Sequence, residues 1–146
     1  MDMDINIREI ENKDYTSIGA IWREALGFLS TADEIVVETF EKMKEDSRYR
    51  TFVADVNGTV VGFVTTVKTL AIDHPNGYMK VNGLAVLSEF QHCGIGKKLM
   101  EHVEKLAREQ NVSMIGLASG FQRTGAHEFY EHLGYEKSSF WFRKRM

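Results

Sequence analysis

The residues with the clearest chemical meaning lie together, in Leu84-Ala85-Val86-Leu87-Ser88-Glu89-Phe90-Gln91-His92-Cys93-Gly94-Ile95-Gly96-Lys97-Lys98. An apolar, strand-like run from Val81 to Val86 feeds a short polar loop that ends in Gly94-Ile95-Gly96. Ile95, Leu99, Val103, Leu106 and Ala107 then recur at three- and four-residue spacing, the pattern of one buried helix face. A helix start leaves backbone N–H groups unpaired and carries the positive end of the helix dipole. Glycine at that point lets an anion reach the backbone, and Lys97 and Lys98 add positive charge. The stretch is therefore a candidate phosphate or pyrophosphate site.

Two widespread phosphate motifs do not fit. A P-loop requires glycine five residues before the Gly of its Gly-Lys-Ser/Thr ending, where this chain has Gln91, and Lys98 stands in place of the Ser/Thr. A dinucleotide fingerprint requires a third glycine where this chain has Leu99. Gln91-His92-Cys93-Gly94-Ile95-Gly96 instead resembles the Gln/Arg-x-x-Gly-x-Gly/Ala signature of the GNAT superfamily of N-acetyltransferases. A second segment, Ala126-His127-Glu128-Phe129-Tyr130-Glu131-His132-Leu133-Gly134-Tyr135, is similar to that family's Ala-x-x-Phe-Tyr-x-x-Leu-Gly-Phe/Tyr. Two separated motifs in the family's order carry more weight than either alone.

The resemblance implies acetyl transfer from acetyl-CoA to an amine. Leu84, Ala85, Val86, Gln91, His92, Cys93, Gly94, Ile95, Gly96, Lys97 and Lys98 would then contact the cofactor. The developing oxyanion calls for fixed donors. In the family these are backbone N–H groups of the strand before the loop, which places them near Leu84 and Val86; a bulge there would leave a donor unpaired by the sheet. The side chains of Leu84 and Val86 can serve the core at the same time. Tyr130 occupies the position of the family's usual tyrosine, facing the departing thiolate. A phenol titrates near ~10 and a thiol near ~8.5, so complete proton transfer is uphill by roughly 2 kcal/mol and Tyr130 reads as a hydrogen-bond donor to sulfur. Its alternative is packing on an amphipathic helix. Seven residues earlier many relatives have Asn contacting the cofactor; this chain has Arg123, suited to a phosphate or an acidic acceptor if it does not point to solvent.

The base for the amine is open among Glu24, Asp73, His74, Glu89, His92 and a water chain. Acceptor contacts implied by the resemblance include Trp22, Glu24, Phe28, Asp73, His74, Ser119 and Phe121, whose aromatic and acidic groups suit a cationic amine and equally suit packing and surface. Cys93 lies near a helix start, but no His or Asp partner is set by spacing, so it is not read as a nucleophile. His127 and His132, five apart, do not share a helix face, and no metal site is expected.

Composition sets the bounds. The 146 residues suit one domain, residues 1–146, and 43% hydrophobic with 27% charged residues is ordinary for a globular chain. A net charge of −3 gives no reason to expect nucleic acid as a partner, and the single cysteine precludes an intramolecular disulfide. No apolar run is long enough to span a bilayer, and Met1-Asp2-Met3-Asp4 does not begin a signal peptide, so no membrane is expected and the cytoplasm is the expected location.

The elements that must position these residues read as follows. Ile5, Ile7 and Ile10 mark a strand, and Asn12 to Phe28 a helix. Ser30 or Thr31 caps a second helix that fades near Asp46-Ser47. Thr51–Val56 and Thr59–Val64 flank Asn57-Gly58, the strongest two-residue hairpin signal, and the second strand extends towards Leu70. Asp73 to Gly77 reads as a loop and Tyr78 to Val86 as a strand, with Gly83 marking either a bulge or close packing. After the helix from Gly94, Val112 to Ala118 is a strand, Thr124 or Gly125 opens a short helix stopped by Gly134, and Tyr135 onward, with Phe140-Trp141-Phe142, reads as final strands. The expected class is mixed α/β, a largely antiparallel central sheet flanked by helices, as in the GNAT fold. The expected function is acetyl-CoA-dependent N-acetylation of a small-molecule or peptide amine by direct attack, with a non-catalytic acyl-CoA-binding module as the alternative. Dimerisation is common among proteins of the resembled family.

Overall fold

A computed structural model describes residues 3–146; Met1 and Asp2, part of the segment read above for an export signal, lie outside the described residues. The chain forms two compact units, Met1–Gly116 and Leu117–Met146. The first contains β1 (Ile5–Glu9), a 3-10 turn (Asn12–Asp14), α1 (Tyr15–Leu26), α2 (Asp33–Lys44), β2 (Tyr49–Val56), β3 (Thr59–Ala71), β4 (His74–Val86), a second 3-10 turn (Ser88–Phe90) and α3 (Ile95–Glu109). The short β5 (Ile115–Leu117) begins in this unit and ends at Leu117, the first residue of the second, which also holds α4 (Thr124–His132).

The sheet runs β1-β2-β3-β4-β5 in chain order. The first three pairings are antiparallel. The chain leaves β4 through α3 and returns in β5 as the next strand, which makes the sheet mixed. Neighbouring side chains on each strand take opposite faces. Val53 and Phe63 join Ile18 and Ile21 of α1 in one core, whereas Phe52 meets His102 of α3 on the other face. Because helices cover both faces, β3 can be apolar without alternation from Val60 to Val64, as the sequence has it.

Local chemistry sets the joints. Asn57 (φ 52°) and Gly58 (φ 91°) both take the left-handed conformations that a two-residue hairpin demands. At the start of α1, Arg8 donates to both carboxylate oxygens of buried Asp14 at 2.8 and 3.0 Å and reaches Asp55 at 3.3 Å. Burial pushes the Asp14 carboxyl up, but the Arg8 guanidinium and the Glu11 backbone N–H outweigh it and hold its pKa below the ordinary value.

Several sequence expectations are corrected. Asn12 to Phe28 is a 3-10 turn followed by α1, which stops at Gly27 in the left-handed conformation. Neither Ser30 nor Thr31 caps α2; its N-cap is Ala32 without a side-chain bond. Thr31 is otherwise engaged, its Oγ1 accepting from Trp22 Nε1 at 3.3 Å and its carbonyl from Arg23 at 3.0 Å. The expected loop at Asp73–Gly77 is mostly strand, since β4 begins at His74 opposite Ala71. Pro75, Asn76 and Gly77 form an irregular stretch opposite Leu70, which accommodates a proline that has no ladder N–H to give. The expected final strands are absent: residues 133–146 carry no strand, because strand propensity is realised only where a neighbouring edge supplies the ladder.

Candidate active site

The middle of the first unit is built around an irregularity in β4. In an antiparallel ladder, a residue points both its backbone groups to one neighbouring strand and the next residue points both to the other. The Leu87 N–H donates to Val61 O of β3 at 2.9 Å, so Ala85 also turns to β3, while Leu84 and Val86 turn their N–H groups away from it. Further back, the Met79 N–H donates to Met114 O, on the β5 side, at 2.9 Å. Both are odd-numbered positions with opposite directions, so one residue between them is surplus. It is Asn82: Thr65 pairs with Gly83 and Thr66 with Val81. The bulge expected near Leu84 and Val86 thus lies just before them, and its consequence is to aim the Leu84 and Val86 amides away from the ladder with β3.

Gly83 serves both purposes that the sequence left open. It adjoins the bulge, and a Cβ there would stand 3.1 Å from Trp22 Cζ3. The Trp22 indole thereby sits directly over the bulged strand, with the Phe28 ring stacked on it at 4.7 Å. Trp22 and Phe28, two of the residues read as acceptor contacts, are brought together in this way.

The loop after β4 is tied back to it. Gln91 Nε2 donates to Val86 O at 3.2 Å. His92 (φ 64°) and Gly94 (φ 81°) take left-handed conformations, and Gly94 is the N-cap of α3. A left-handed residue followed by a right-handed helical one turns successive N–H groups into one concavity, the geometry of an anion nest. A Cβ on Gly94 would meet nothing within 4 Å, so it is the positive φ that calls for glycine there. Glycine also offers no side chain to cap the helix, and the first turn of α3 has no acidic residue. It has Lys97 and Lys98 instead, both exposed. Ile95 and Leu99 anchor the same turn in the core. Cys93 is exposed, with Sγ 3.7 Å from Gln91 O.

In the second unit, Arg123 is the N-cap of α4 and Tyr130 lies on that helix, half-buried. Burial pushes the Tyr130 phenol above its ordinary value, and the positive charge of Arg123 pulls it part of the way back. Ser119 Oγ is buried with no hydrogen-bond partner among the described residues. His127 Nε2 lies 2.8 Å from Gly120 O, which ties α4 to the loop before it.

The base candidates are scattered. Glu89 and His92 are exposed on the loop after β4, and Glu24 is exposed on α1. Asp73 and His74 sit at the tip of the β3–β4 hairpin, ten or more residues from Leu84 along an extended strand, which is roughly 30 Å. That distance removes them from chemistry at Leu84. The sequence reading missed the Gln91–Val86 tether and the surplus Asn82; only Gly83 signalled the latter. Among the described residues, no group of three or more His, Cys, Asp or Glu is placed to hold a metal ion, and no helix is long and apolar enough to cross a membrane.

Residues 6–135 match the model of a family described as the acetyltransferase (GNAT) family. Over 90 residues the chain is 31% identical to the aminoalkylphosphonate N-acetyltransferase of Salmonella typhimurium, a match covering 62% of this chain and 58% of that protein. Among solved structures, a transcriptional regulator from Bacillus halodurans C-125 superposes with a TM-score of 0.91 at 23% identity, over 98% of this chain and all of that one. An aminoglycoside N-acetyltransferase in complex with CoA superposes with a TM-score of 0.85 at 16% identity, over all of this chain and 98% of that one.

Proposed function

The chain belongs to the acetyltransferase (GNAT) family, and on that basis we propose that residues 1–146 act as one cytoplasmic N-acetyltransferase domain that moves an acetyl group from acetyl-CoA to a primary amine of a small molecule or peptide. The attack is direct, in a ternary complex. The observation that carries the reading is the start of α3: a left-handed Gly94, an uncapped first turn and two lysines where a helix prefers acids. The CoA complex of the structurally similar aminoglycoside enzyme supports the choice of anion.

In this reading the pyrophosphate of acetyl-CoA lies on the Gly94–Lys98 turn, and Leu84, Ala85 and Val86 run beside the thioester. The amine, having lost its proton to solvent or a base, forms a bond to the thioester carbonyl carbon. The carbonyl oxygen takes the negative charge beside the outward-turned Leu84 N–H. The C–S bond then breaks, and Tyr130 donates a hydrogen bond to the departing thiolate. With its phenol above the ordinary value, Tyr130 is a poorer proton source than free tyrosine and an intact donor at neutral pH. Gln91 holds the loop to Val86, and Arg123 supplies charge near Tyr130, to the thiolate or to a phosphate.

Calorimetric titration of acetyl-CoA and desulfo-CoA, with turnover on a panel of amines, tests this. Micromolar binding abolished by Gly94→Glu is expected, as is a Tyr130→Phe variant that keeps binding and loses at least tenfold in kcat. Binding without turnover of any amine would leave a non-catalytic acyl-CoA module. No binding at all would remove the reading.

A further inference from the structure

An aromatic surface lies beside the bulged part of β4. Three rings stand in a row there: Phe63 of β3, Trp22 of α1 with its centroid 6.4 Å away, and Phe28 stacked on Trp22 at 4.7 Å and 20°. The row begins in the core, where Phe63 is buried, and ends at Phe28, which is 50% exposed. Trp22 meets the strand at Gly83, the residue before Leu84. The loop carrying Phe28 is pinned. Trp22 Nε1 donates to Thr31 Oγ1 at 3.3 Å, and Arg23 donates to Thr31 O at 3.0 Å and to Asp33 Oδ1 at 2.8 Å. Phe28 is thus a half-open ring held in place beforehand, which spares a ligand the cost of ordering it.

Charge near this surface is paired or absent. Arg23 and Asp33 neutralise each other. Residues 27–32, 59–67 and 81–87 contain no charged side chain. Glu24 and Glu34 are exposed, about 200° from Trp22 round α1 and about 100° from Asp33 round α2. A phosphonate or carboxylate would find no unpaired cation in those segments, and a polyamine no unpaired acid, so each would lose water without a matching partner. An aromatic group suffers neither loss and gains a ring to stack on.

Resting on the acetyl-transfer reading above, we propose that the acceptor is a primary amine bearing an aromatic group, which stacks on Phe28 while its nitrogen reaches the thioester beside Leu84. The nitrogen bonds to the carbonyl carbon, the C–S bond breaks, and the surplus amine proton passes to solvent. The products are the N-acetyl amide and CoA. Stacking one ring on another is worth about two- to tenfold in affinity.

Acetyl-CoA consumption with 2-phenylethylamine, butylamine, 2-aminoethylphosphonate and kanamycin gives the ranking. 2-Phenylethylamine should exceed the phosphonate and kanamycin at least about tenfold in kcat/KM, and butylamine by about two- to tenfold. Phe28→Ala should bring the ratio over butylamine close to one, through KM rather than kcat; a merely structural Phe28 would lower both amines alike. Turnover in another order, or a Phe28→Ala variant that keeps the preference, overturns this inference and leaves acetyl transfer standing. Absence of acetyl-CoA binding removes both. Acceptor binding is read separately in the Trp141→Phe protein saturated with desulfo-CoA, where emission comes from Trp22. 2-Phenylethylamine should change that emission saturably and the phosphonate should not. No change overturns the inference even if no amine is turned over. If Phe28→Ala does not fold, the wild-type ranking and this titration decide.

Discussion

Lys97 and Lys98 stand where an ordinary helix would have acids. The contrast with α2 is internal to the molecule, since α2 opens with Asp33 and Glu34. A cation in the first turn opposes the helix dipole, at about 0.3–1 kcal/mol per charge at low salt. The sequence therefore gives up helix stability at the proposed anion site. This separates a binding role from a folding role by sign. The Lys97→Gln/Lys98→Gln variant should be as stable as the wild type or more stable by up to about 1 kcal/mol in urea unfolding. It should nevertheless bind acetyl-CoA several-fold more weakly, with the deficit shrinking as salt rises. Loss of stability together with binding would mean that the lysines are structural. Tyr130 and Arg123 are less separable at this scale, because burial and the Arg123 charge act on the same phenol in opposite directions.

At the scale of elements, the site depends on β4 being out of step with itself. The surplus Asn82 lets the early part of the strand pair as the sheet requires and the later part turn the Leu84 and Val86 amides away from β3. Gly83 makes room for this under Trp22. Gly83→Val should press the indole off the strand and destabilise the fold by about 1–3 kcal/mol, read from urea unfolding and from a shift in tryptophan emission. Wild-type stability with unshifted emission would refute the tight approach.

Much of this was legible beforehand. The Asn57-Gly58 hairpin and the α3 periodicity are local signals, each written in a few adjacent residues, and both stand as read. What was not legible depended on partners distant in sequence. Thr31 reads as a cap until Trp22 and Arg23 claim it. Asp73 to Gly77 reads as a loop because proline and glycine break local patterns, whereas the pairing of His74 with Ala71 is set by the hairpin as a whole. Phe140-Trp141-Phe142 reads as a strand because its composition does, yet a strand also needs an edge. Gln91 was legible by type within the motif, and its bond to Val86 only from the fold.

For the whole molecule, α3 links the proposed cofactor site to acid stability. Its first turn carries the proposed pyrophosphate site, and two turns on, His102 lies against Phe52 of β2 with ring centroids 4.4 Å apart. Burial there, reinforced by Lys105 and Arg50 and partly offset by Glu109 and Glu9, holds the imidazole pKa below its ordinary value. A depressed folded-state pKa means that the unfolded chain takes up the proton first. The contribution of His102 is therefore intact above about pH 6.5 and is lost as pH falls through the lower folded value. Asp14 acts in the same direction further down, since its carboxyl, held low by Arg8, loses its contribution only below the ordinary carboxylate range. Stability should thus fall in two steps on acidification. The first should weaken acetyl-CoA binding as well, because the helix that loosens is the one proposed to hold the pyrophosphate. His102→Gln, followed by calorimetry between pH 7 and pH 5 and by urea unfolding from pH 7 to about pH 3, should flatten the first step in both measurements and leave the acid limb of Asp14, at the lower end of the unfolding series, in place. If stability and affinity in that variant still drop together between pH 6.5 and 5, the coupling does not run through His102.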